Sequence, residues 1–340
     1  MLATAPLLRA QTIRIELRDS IGALPVIGAL VTASDSASTA RVDGLTNERG
    51  VVTLRLPTSG LWTIGIRRIG LTPRRVPAIR VAPGAVITMP LTVTSMRQIL
   101  ARVRVSADAG FCGRAPEGED RTAMLWEQIT LALRASTLSR DGAGAARRGL
   151  RVEERVRELT TDLKEISSEL RKSGLFMGRP YSAADPDSLA TLGYVRAEGS
   201  DDFSYFAPDE VVLLSDAFLR THCFDTPKKD RDPALAELHF RPLRGRTVAD
   251  VQGTAFVDTL SGELRRLEFR FVASRSVIPV NSPHAGGDVM LRRLPDGQWI
   301  VSQWVIRMPR YSRRNRFGTF VLSGYREIGG AVKPVDDVSP

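Results

Sequence analysis

The sequence has few of the residues from which many enzyme sites are built. Its 340 residues include three histidines, two cysteines and five lysines, and aromatic residues make up 6% of the chain. None of the histidines (His222, His239 and His284) has a Glu three positions later, as H-x-x-E zinc sites require. The GxSxG, HExxH and P-loop motifs are missing as well. These absences exclude the enzyme classes that the motifs define, and we predict no catalytic, cofactor-binding or metal-binding residue.

Long apolar runs are also missing. No stretch approaches the roughly 18 consecutive apolar residues of a membrane-spanning helix, so no transmembrane segment is predicted. The first residues, MLATAPLLRAQ, are short and apolar and have no basic start. We interpret residues 1–11 as the remnant of a signal peptide whose start lies upstream, or as a disordered N-terminus. The expected location is the periplasm or the outer membrane of a bacterial-type envelope.

The formal net charge of the chain is +10. Residues 1–106 contain 14 Arg and 5 acidic residues, so most of the positive charge belongs to this stretch. These arginines alternate along the predicted strands without a set of aromatic residues beside them, unlike a platform for single-stranded nucleic acid. We interpret them as a solvated face and expect no specific nucleic-acid partner, while polyanions such as lipopolysaccharide stay open as partners.

Alternation of apolar and polar residues dominates residues 12–106. It begins with Ile13, Ile15 and Leu17, and turn residues recur about every ten positions. The later sets with the same period are Val52, Leu54, Leu56; Trp62, Ile64, Ile66; and Ile87, Met89, Leu91, Val93. Each set can bury one face of a strand against a facing sheet. The pattern predicts a small antiparallel β-sandwich.

The turns of this stretch follow a specific order. They are Asp19-Ser20-Ile21-Gly22, Thr46-Asn47-Glu48-Arg49-Gly50, Leu56-Pro57-Thr58-Ser59-Gly60 and a turn at Gly84, before a last apolar strand with Leu100, Val103 and Val105. As a set, they make residues 12–106 resemble the carboxypeptidase regulatory-like domain, a transthyretin-like β-sandwich close to carbohydrate-binding-like folds. Two positions depart from that family, which usually has Asp at the position of Asn47 and Tyr at the position of Trp62. The resemblance implies a non-catalytic accessory module.

A boundary follows the sandwich. Residues 107–119 are rich in Gly, Ala and Pro and lack periodicity, which predicts a linker between two domains. A helix should begin near Asp120 and end near Arg140, because Leu125, Ile129, Ala132 and Leu133 share one helical face. The glycine-rich segment after it follows a helix and lacks the Lys-Ser/Thr pair of a P-loop, so we interpret it as a linker.

Residues 150–173 allow two interpretations. Apolar residues from Val152 to Leu170 recur at spacings of three and four, as in an amphipathic helix. Thr160-Thr161-Asp162 could instead be the turn of a β-hairpin. A resemblance of this region to uncharacterised periplasmic proteins, in which a regulatory-like sandwich precedes a β-rich domain, favours the hairpin.

Residues 120–330 are predicted to form an α+β domain with an antiparallel sheet and two helices, followed by a disordered tail over 331–340. The second helix should span Pro208 to Phe224. Strands should follow in LAELHFRPL, in a hairpin turning at Leu260-Ser261-Gly262, in a second hairpin turning at Pro295-Asp296-Gly297, and in GTFVLSGYREI. This arrangement weakly resembles the half-barrel of periplasmic lipoprotein carriers.

Four aromatic residues could line the concavity of such a half-barrel: Trp299, Trp304, Phe269 and Phe271. We take Trp299 and Trp304 as speculative ligand-binding residues. Aromatic residues on strands are more often part of the core, and that alternative stays open.

The two cysteines, Cys112 and Cys223, are an even, minimal set in a chain expected to be exported, which predicts a disulfide. Two buried free thiols are the alternative. A nucleophilic Cys223 activated by His222 is disfavoured, because adjacent helical residues point about 100° apart.

Together these features predict a mainly β, non-catalytic binding or assembly protein of the cell envelope. The ligand would be a glycan, by analogy with carbohydrate-binding-like sandwiches, or a lipid or lipoprotein, by analogy with the half-barrel. A hydrolase or peptidase with an unrecognised site is one alternative. A truncated TonB-dependent receptor-like protein is another, because such receptors often begin with this kind of sandwich.

Overall fold

The computed structural model describes residues 11–20, 22–68, 74–93, 111–117, 120–141, 150–176, 180–198, 202–259, 261–273, 282–294, 299–313 and 320–334. The chain folds into two compact units, the first built mainly from residues before 100 and the second mainly from later residues. Several predicted features lie outside the described residues. They are the signal remnant up to residue 10, the strand over 100–105, residues 107–110 and 118–119 of the linker, the turn over 295–297 and the tail from 335 onward. Residues 331–334, predicted as the start of the disordered tail, belong instead to the strand Phe320–Pro334.

The first unit is a two-layer β-sandwich. Its strands are β1 (Gln11–Asp19), β2 (Leu30–Asp35), β3 (Arg41–Leu45), β4 (Val51–Leu56), β5 (Gly60–Arg67), β6 (Arg74–Val81) and β7 (Val86–Val93). One sheet has the order β4-β1-β7 and the other has the order β3-β2-β5-β6. The predicted inward positions Ile13, Ile15 and Leu17 are fully buried, because alternate residues of β1 point between the layers.

The sandwich differs from the prediction in one pairing. β1 and β4 are antiparallel, but β1 and β7 are parallel, with Ile13 opposite Ile87. The chain crosses to the other sheet between β1 and β7, and such a crossover permits parallel neighbours. The predicted turn at Asn47 is present, since its side-chain oxygen accepts hydrogen bonds from the backbone N–H groups of Arg49 and Val51.

The second unit contains a ten-stranded sheet in the order β10-β9-β19-β18-β17-β16-β15-β14-β13-β8. The strands of the unit are β8 (Phe111–Cys112), β9 (Leu150–Leu159), β10 (Glu165–Phe176), β11 (Val195–Ala197), β12 (Phe203–Tyr205), β13 (His222–Asp225), β14 (Leu235–Pro242), β15 (Asp250–Asp258), β16 (Leu264–Val272), β17 (Gly286–Arg293), β18 (Trp299–Arg313) and β19 (Phe320–Pro334). β11 and β12 form a separate two-stranded sheet. β8 lies within the predicted linker, which is therefore not wholly irregular.

Residues 150–173 form the predicted hairpin, β9 paired antiparallel with β10. The turn is built by Thr160, whose side-chain oxygen accepts a hydrogen bond from the backbone N–H of Lys164 at 3.0 Å. Register shifts occur on β10 between Glu165 and Ser167 and between Leu170 and Lys172. Each shift inserts one residue into β10, so the side chains of this strand do not keep a simple period of two.

The described residues contain four helices rather than the predicted two: α1 (Arg121–Asp141), α2 (Pro186–Leu192), α3 (Glu210–Leu213) and α4 (Asp216–Thr221). The predicted face of α1 is buried, and the Asp120 carboxylate accepts a hydrogen bond from the Ala123 N–H at 2.9 Å. Helix α2 was missed, although Asp185 at the N-cap and Pro186 at the first position are its sequence signals. None of the described helices is long and apolar enough to cross a membrane.

The single helix predicted over Pro208–Phe224 is wrong. Asp209 does cap a helix, as expected, but that helix ends at Leu213. Ser215 then caps α4 by accepting a hydrogen bond from the Phe218 N–H at 3.1 Å. From His222 the backbone is extended and pairs with β14. A polar cap residue in the middle of the apolar run thus starts a new helix.

Candidate functional site

The sheet of the second unit has one face packed against helices. Trp126 of α1 contacts Phe224, with ring centroids 4.9 Å apart, and Phe218 of α4 contacts Phe240 at 5.6 Å. Since side chains alternate along a strand, the residues between these aromatic residues point to the opposite face. On β14 the opposite-face residues are Glu237, His239 and Arg241, which places a charged surface behind the apolar one.

The register aligns polar residues from five strands on this face. Asp225 on β13 lies opposite His239 on β14, which lies opposite Thr254 on β15. Thr254 lies opposite Glu268 on β16, and Glu268 lies opposite Asp288 on β17. All five residues are partly exposed. They form a continuous polar row across the sheet.

Ion pairs connect most of this row with neighbouring charged residues into one network of alternating charge. We call it the charge ladder, and its eight members in order are Arg241, Asp225, His239, Glu237, Arg231, Glu268, Arg266 and Asp288. With His239 protonated, the ladder has four positive and four negative groups and no net charge.

The first half of the ladder is centred on His239. Its Nδ1 atom lies 3.6 Å from Oδ1 of Asp225, and its Nε2 atom lies 3.2 Å from Oε2 of Glu237. Arg241 lies 3.1 Å from the other oxygen of Asp225. Glu237 is almost fully buried, and Arg231 donates to it from the backbone N–H at 2.7 Å and from Nε at 3.1 Å. Both ring nitrogens of His239 therefore face carboxylates.

The second half of the ladder is supported by an aromatic ring. Arg231 and Arg266 both lie over Phe256, at 4.9 and 5.7 Å from the ring centroid. Arg266 donates from Nε to Asp288 at 2.7 Å and also pairs with Glu268. The ring holds the two guanidinium groups in place, so their positions do not depend on the carboxylates alone.

The pKa directions follow from these contacts. The close approach of Asp225, followed by that of Glu237, raises the pKa of His239 in spite of its partial burial. His239 is also the main cause of the lowered pKa of Asp225, to which Arg241 contributes. Burial acts to raise the pKa of Glu237, but the hydrogen bonds from Arg231 and His239 outweigh it and lower the pKa. The charged form of each group is thus favoured.

The arrangement around His239 is unlike that of a general base. In a catalytic triad one ring nitrogen faces a carboxylate and the other faces the nucleophile. Here a carboxylate lies on each side of the ring, and the two carboxylates favour its protonated form. No cluster in the described part of the chain has at least three His, Cys, Asp or Glu side chains arranged to hold a metal ion. What the ladder presents to solvent is a set of fixed donors and acceptors.

A second histidine, His222, belongs to the core. It is fully buried and stacks on Phe218 at a centroid distance of 3.8 Å. Its Nε2 atom lies 3.2 Å from Oδ1 of Asp250, which also pairs with Arg246. Burial acts to raise the pKa of Asp250, but His222 and Arg246 outweigh it and lower the pKa. His222 and Asp250 are almost completely shielded from solvent, so we assign the pair a structural role.

The predicted disulfide is present. Cys112 and Cys223 lie opposite each other on β8 and β13, and the bond between them joins residues 111 positions apart. Since Cys223 is in the disulfide, it is not a thiol nucleophile beside His222. The third histidine, His284, lies against Tyr325 with ring centroids 5.8 Å apart. The three histidines are spread over different parts of the unit.

Trp299 and Trp304, the speculative ligand-binding residues, lie in the core. Their side chains are 3% and 0% exposed, and Phe269 and Phe271 are also buried. The ring of Trp304 lies over Gly330, where an added Cβ would be 2.4 Å from the ring. These positions match the core alternative, and none of the four rings presents a face to solvent.

Sequence reasoning did not find the charge ladder. The alternation Glu237, His239, Arg241 on β14 was visible as a polar face, and so was Arg266 with Glu268 on β16. What the sequence did not reveal is the register that brings residues 225 to 288 into one row. That register depends on pairing between strands that no single segment specifies.

Comparisons with known proteins gave limited likeness. No protein-family model matches the chain, and no curated protein does. Among solved structures, the chain is similar to a candidate carbohydrate-binding protein from Bacteroides uniformis, with 9% identity and a TM-score of 0.22. The match covers 78% of this chain and 99% of the Bacteroides uniformis chain. It is also similar to a DUF1329 family protein from Desulfovibrio piger, with 12% identity and a TM-score of 0.26. That match covers 61% of this chain and 95% of the Desulfovibrio piger chain.

A third similar structure is a cohesin–X-dockerin complex from Acetivibrio cellulolyticus, with 15% identity and a TM-score of 0.20. The match covers 25% of this chain and 58% of that chain. At these TM-scores the likenesses carry no argument about function. The resemblance to the carboxypeptidase regulatory-like domain therefore stays a prediction from the sequence.

Proposed function

We propose that this chain is a non-catalytic binding protein of the bacterial-type envelope and that its charge ladder binds a neutral polyhydroxylated ligand, a glycan. The observation that carries the proposal is the partly exposed polar row across five strands, most of which the ion pairs of the charge ladder connect. A carboxylate offers two acceptor oxygens, and a guanidinium group offers five N–H donors, in each case in a fixed plane. Neighbouring hydroxyls of a sugar can pair with such groups as donor and acceptor at once.

The charge balance of the ladder favours a neutral ligand. Every carboxylate of the ladder is paired with at least one cation at 3.9 Å or less. An anionic or cationic ligand would have to compete with these ion pairs, whereas a sugar can use the lone pairs and N–H groups that still face water. Arg231 and Arg241 are the most exposed members of the ladder, followed by Arg266 and Asp288.

A lipid ligand has less support. The apolar face of the sheet is filled by large side chains that are nearly or fully buried, namely Phe218, Phe224, Phe240, Phe269 and Phe271. A lipid chain would have to displace them at a cost of several kcal/mol. The sandwich offers no stacking surface for a sugar either, because its one aromatic residue within 12–106, Trp62, is fully buried.

Two further observations bear on the proposal. Both ring nitrogens of His239 face carboxylates, which argues against acid–base catalysis by this histidine. The disulfide supports an oxidising compartment such as the periplasm. Envelope location is accordingly part of the proposal.

The test is calorimetric titration of the whole chain with a panel of neutral envelope-type and plant-type oligosaccharides. We expect Asp225→Ala and Asp288→Ala to weaken binding about tenfold each, because each removes a charge-assisted hydrogen-bond acceptor. Asp187→Ala, at an exposed ion pair away from the ladder, is the matched control and should bind as the parent chain does. Chromatography of the same mixtures detects cleavage products.

The outcomes separate the candidate functions. Loss of binding in both ladder variants with an unchanged thermal transition supports the proposal. Binding of zwitterionic phosphatidylcholine vesicles but of no oligosaccharide would favour the lipid alternative. Cleavage products that disappear in the ladder variants would identify an enzyme instead.

A further inference from the structure

The outermost strand of the ten-stranded sheet, β10, has a neighbour on one side. It pairs with β9 from Glu165 to Phe176, and no strand in the described part of the chain pairs with its other side. β10 contains 12 residues, about twice the usual strand length. A long edge of this kind presents unpaired backbone N–H and C=O groups to solvent.

The side chains of residues 165–173 on β10 are exposed on both faces of the sheet. They include three large apolar residues, Ile166, Leu170 and Leu175, which are 65%, 49% and 68% exposed. Proteins usually protect an edge strand by making it short or by covering it. β10 is long and, within the described residues, uncovered. The register shifts next to Ile166 and Arg171 interrupt the edge, but Ser167–Leu170 between them pairs regularly.

The charges of β10 are arranged in two halves. Glu165 and Glu169 lie in the first half, and Arg171 and Lys172 lie in the second half. When two identical strands run antiparallel, the first half of one faces the second half of the other. Each acidic half would then lie opposite a basic half, while a parallel arrangement would place like charges together.

From the exposed edge and its charge order, we propose that β10 pairs with β10 of a second copy of this chain, antiparallel about a two-fold axis near Leu170. Such an interface uses the same surface on both copies and closes as a dimer. Glu169 of one copy would face Arg171 or Lys172 of the other, and the two Leu170 side chains would meet at the axis. The ten-stranded sheets would continue into each other. The pairing uses no residue of the charge ladder and is independent of the proposed function.

The first test is charge reversal measured by analytical ultracentrifugation. We expect the parent chain to dimerise at about 100 µM, because a single strand pair buries less area than standard interfaces do. Glu165→Lys/Glu169→Lys makes the strand wholly basic, and Arg171→Glu/Lys172→Glu makes it wholly acidic. Each variant alone should be a monomer, because like charges then face each other. An equimolar mixture of the two should restore a dimer.

The control separates the interface from overall charge. Glu117→Lys/Asp202→Lys changes the net charge by the same amount as the basic variant, at exposed positions outside β10. It should dimerise as the parent chain does. Arg171 also lies 3.6 Å from Glu154 within its own chain, so circular dichroism of the acidic variant checks its fold. The Glu165→Lys/Glu169→Lys variant tests the proposal even if the acidic variant does not fold.

A second test locates the two-fold axis. Leu170→Cys places two thiols at the axis, close enough for a disulfide between copies under oxidising conditions. Ser173→Cys, three residues along the strand, places the two thiols about 20 Å apart. We expect a covalent dimer from the first variant and none from the second.

A parent chain that stays monomeric at about 100 µM overturns the proposal. So does a dimer that both charge-reversed variants preserve, because the interface would then lie elsewhere. Equal cross-linking of Leu170→Cys and Ser173→Cys overturns the antiparallel register.

Discussion

Asp225 and His239 lie directly opposite each other on β13 and β14, with Oδ1 and Nδ1 3.6 Å apart. Glu237 holds the other ring nitrogen at 3.2 Å. The pair belongs to the first half of the charge ladder. Because the imidazole lies between two carboxylates, its protonation affects the ion pairs of both. Removing the proton from His239 would leave the ladder with one unbalanced negative charge.

The stability of the ladder should therefore depend on pH. The pKa of His239 is raised above 6.5, so its contribution is complete below pH 6.5 and is lost as pH rises through the folded-state pKa. The pKa values of Asp225 and Glu237 are lowered from 3.8 and 4.5, so their contributions are complete above those values and are lost as pH falls further. The free energy of unfolding that His239→Gln removes should be largest between pH 4.5 and 6.5 and should decrease as the pH rises through the raised pKa of His239.

Chemical denaturation at several pH values checks this prediction, with an expected effect of about 1 kcal/mol or less because the pair is half-exposed. Titration of the His239 ring by NMR adds a direct measurement. In Asp225→Asn the pKa of the ring should fall relative to the parent chain. A His239→Gln effect that is the same at every pH would contradict the ion-pair account.

The disulfide should contribute substantially to stability. It joins residues 111 positions apart, and the entropy of closing so long a loop in the unfolded chain corresponds to about 4–5 kcal/mol as an upper figure. Cys112→Ser/Cys223→Ser should lower the melting temperature of the second unit by several degrees. Thiol labelling of the denatured, unreduced parent chain should find no reactive thiol. Two reactive thiols per chain in material from an oxidising compartment would contradict the bond.

The sandwich should fold without the rest of the chain. Its buried cluster extends from Ile13 to Val93 and lies wholly within residues 12–106. A fragment of those residues has the size of an independent domain. Its thermal unfolding, followed by circular dichroism, should be a single cooperative transition. If the fragment aggregates or shows no cooperative transition, the predicted domain boundary is wrong.

How much of this structure the sequence could predict depends on how local the signal is. Ile13, Ile15 and Leu17 predict a strand because the period of two is visible within a few consecutive residues. The spacing of Leu125 and Ile129 predicts α1 from an equally local pattern. The hairpin of β9 and β10 was ambiguous because two inserted residues break that period. Extended His222 was missed because the cap at Ser215 divides an apolar run that otherwise suits one helix.

The candidate site depends on non-local pairing. Asp225 directly follows the segment predicted as a helix, Pro208–Phe224, and nothing in the sequence indicated that its side chain would face His239. Arg231 reaches Glu237 from the loop between β13 and β14, and its charge looked like that of any surface arginine. The disulfide was predictable because two cysteines allow one pairing.

Glycine substitutions test the packing of the sandwich. A Cβ at Gly44 would lie 2.7 Å from side-chain atoms of both Leu54 and Val52, whereas a Cβ at Gly65 would have no atom within 4 Å. Gly44→Ala should lower the free energy of unfolding by about 1–2 kcal/mol, since the buried neighbours must move. Gly65→Ala should be neutral or stabilising by up to about 1 kcal/mol, because it reduces the entropy of the unfolded chain. Equal effects of the two would contradict the packing described for β3 and β4.

The last prediction concerns a buried carboxylate at the other end of the large sheet. Glu327 on β19 is 3% exposed and lies between Arg157 on β9, at 2.7 Å, and Arg307 on β18. Removing its charge would leave two arginines facing each other across a partly buried space. Glu327→Gln should therefore lower the free energy of unfolding by about 1–3 kcal/mol, although the side chain keeps its volume.

Glu153→Gln is the matched control, because Glu153 lies on the adjacent strand β9 and pairs with Arg155 at 2.9 Å, but with both side chains at least half-exposed. Its effect should be within about 0.5 kcal/mol of zero, since water solvates the arginine left behind. Urea denaturation of the two variants side by side measures the difference. If Glu327→Gln cost no more than Glu153→Gln, the carboxylate would not be what holds Arg157 and Arg307 together, and the pairing of β18, β19 and β9 would depend on backbone hydrogen bonds and apolar packing alone.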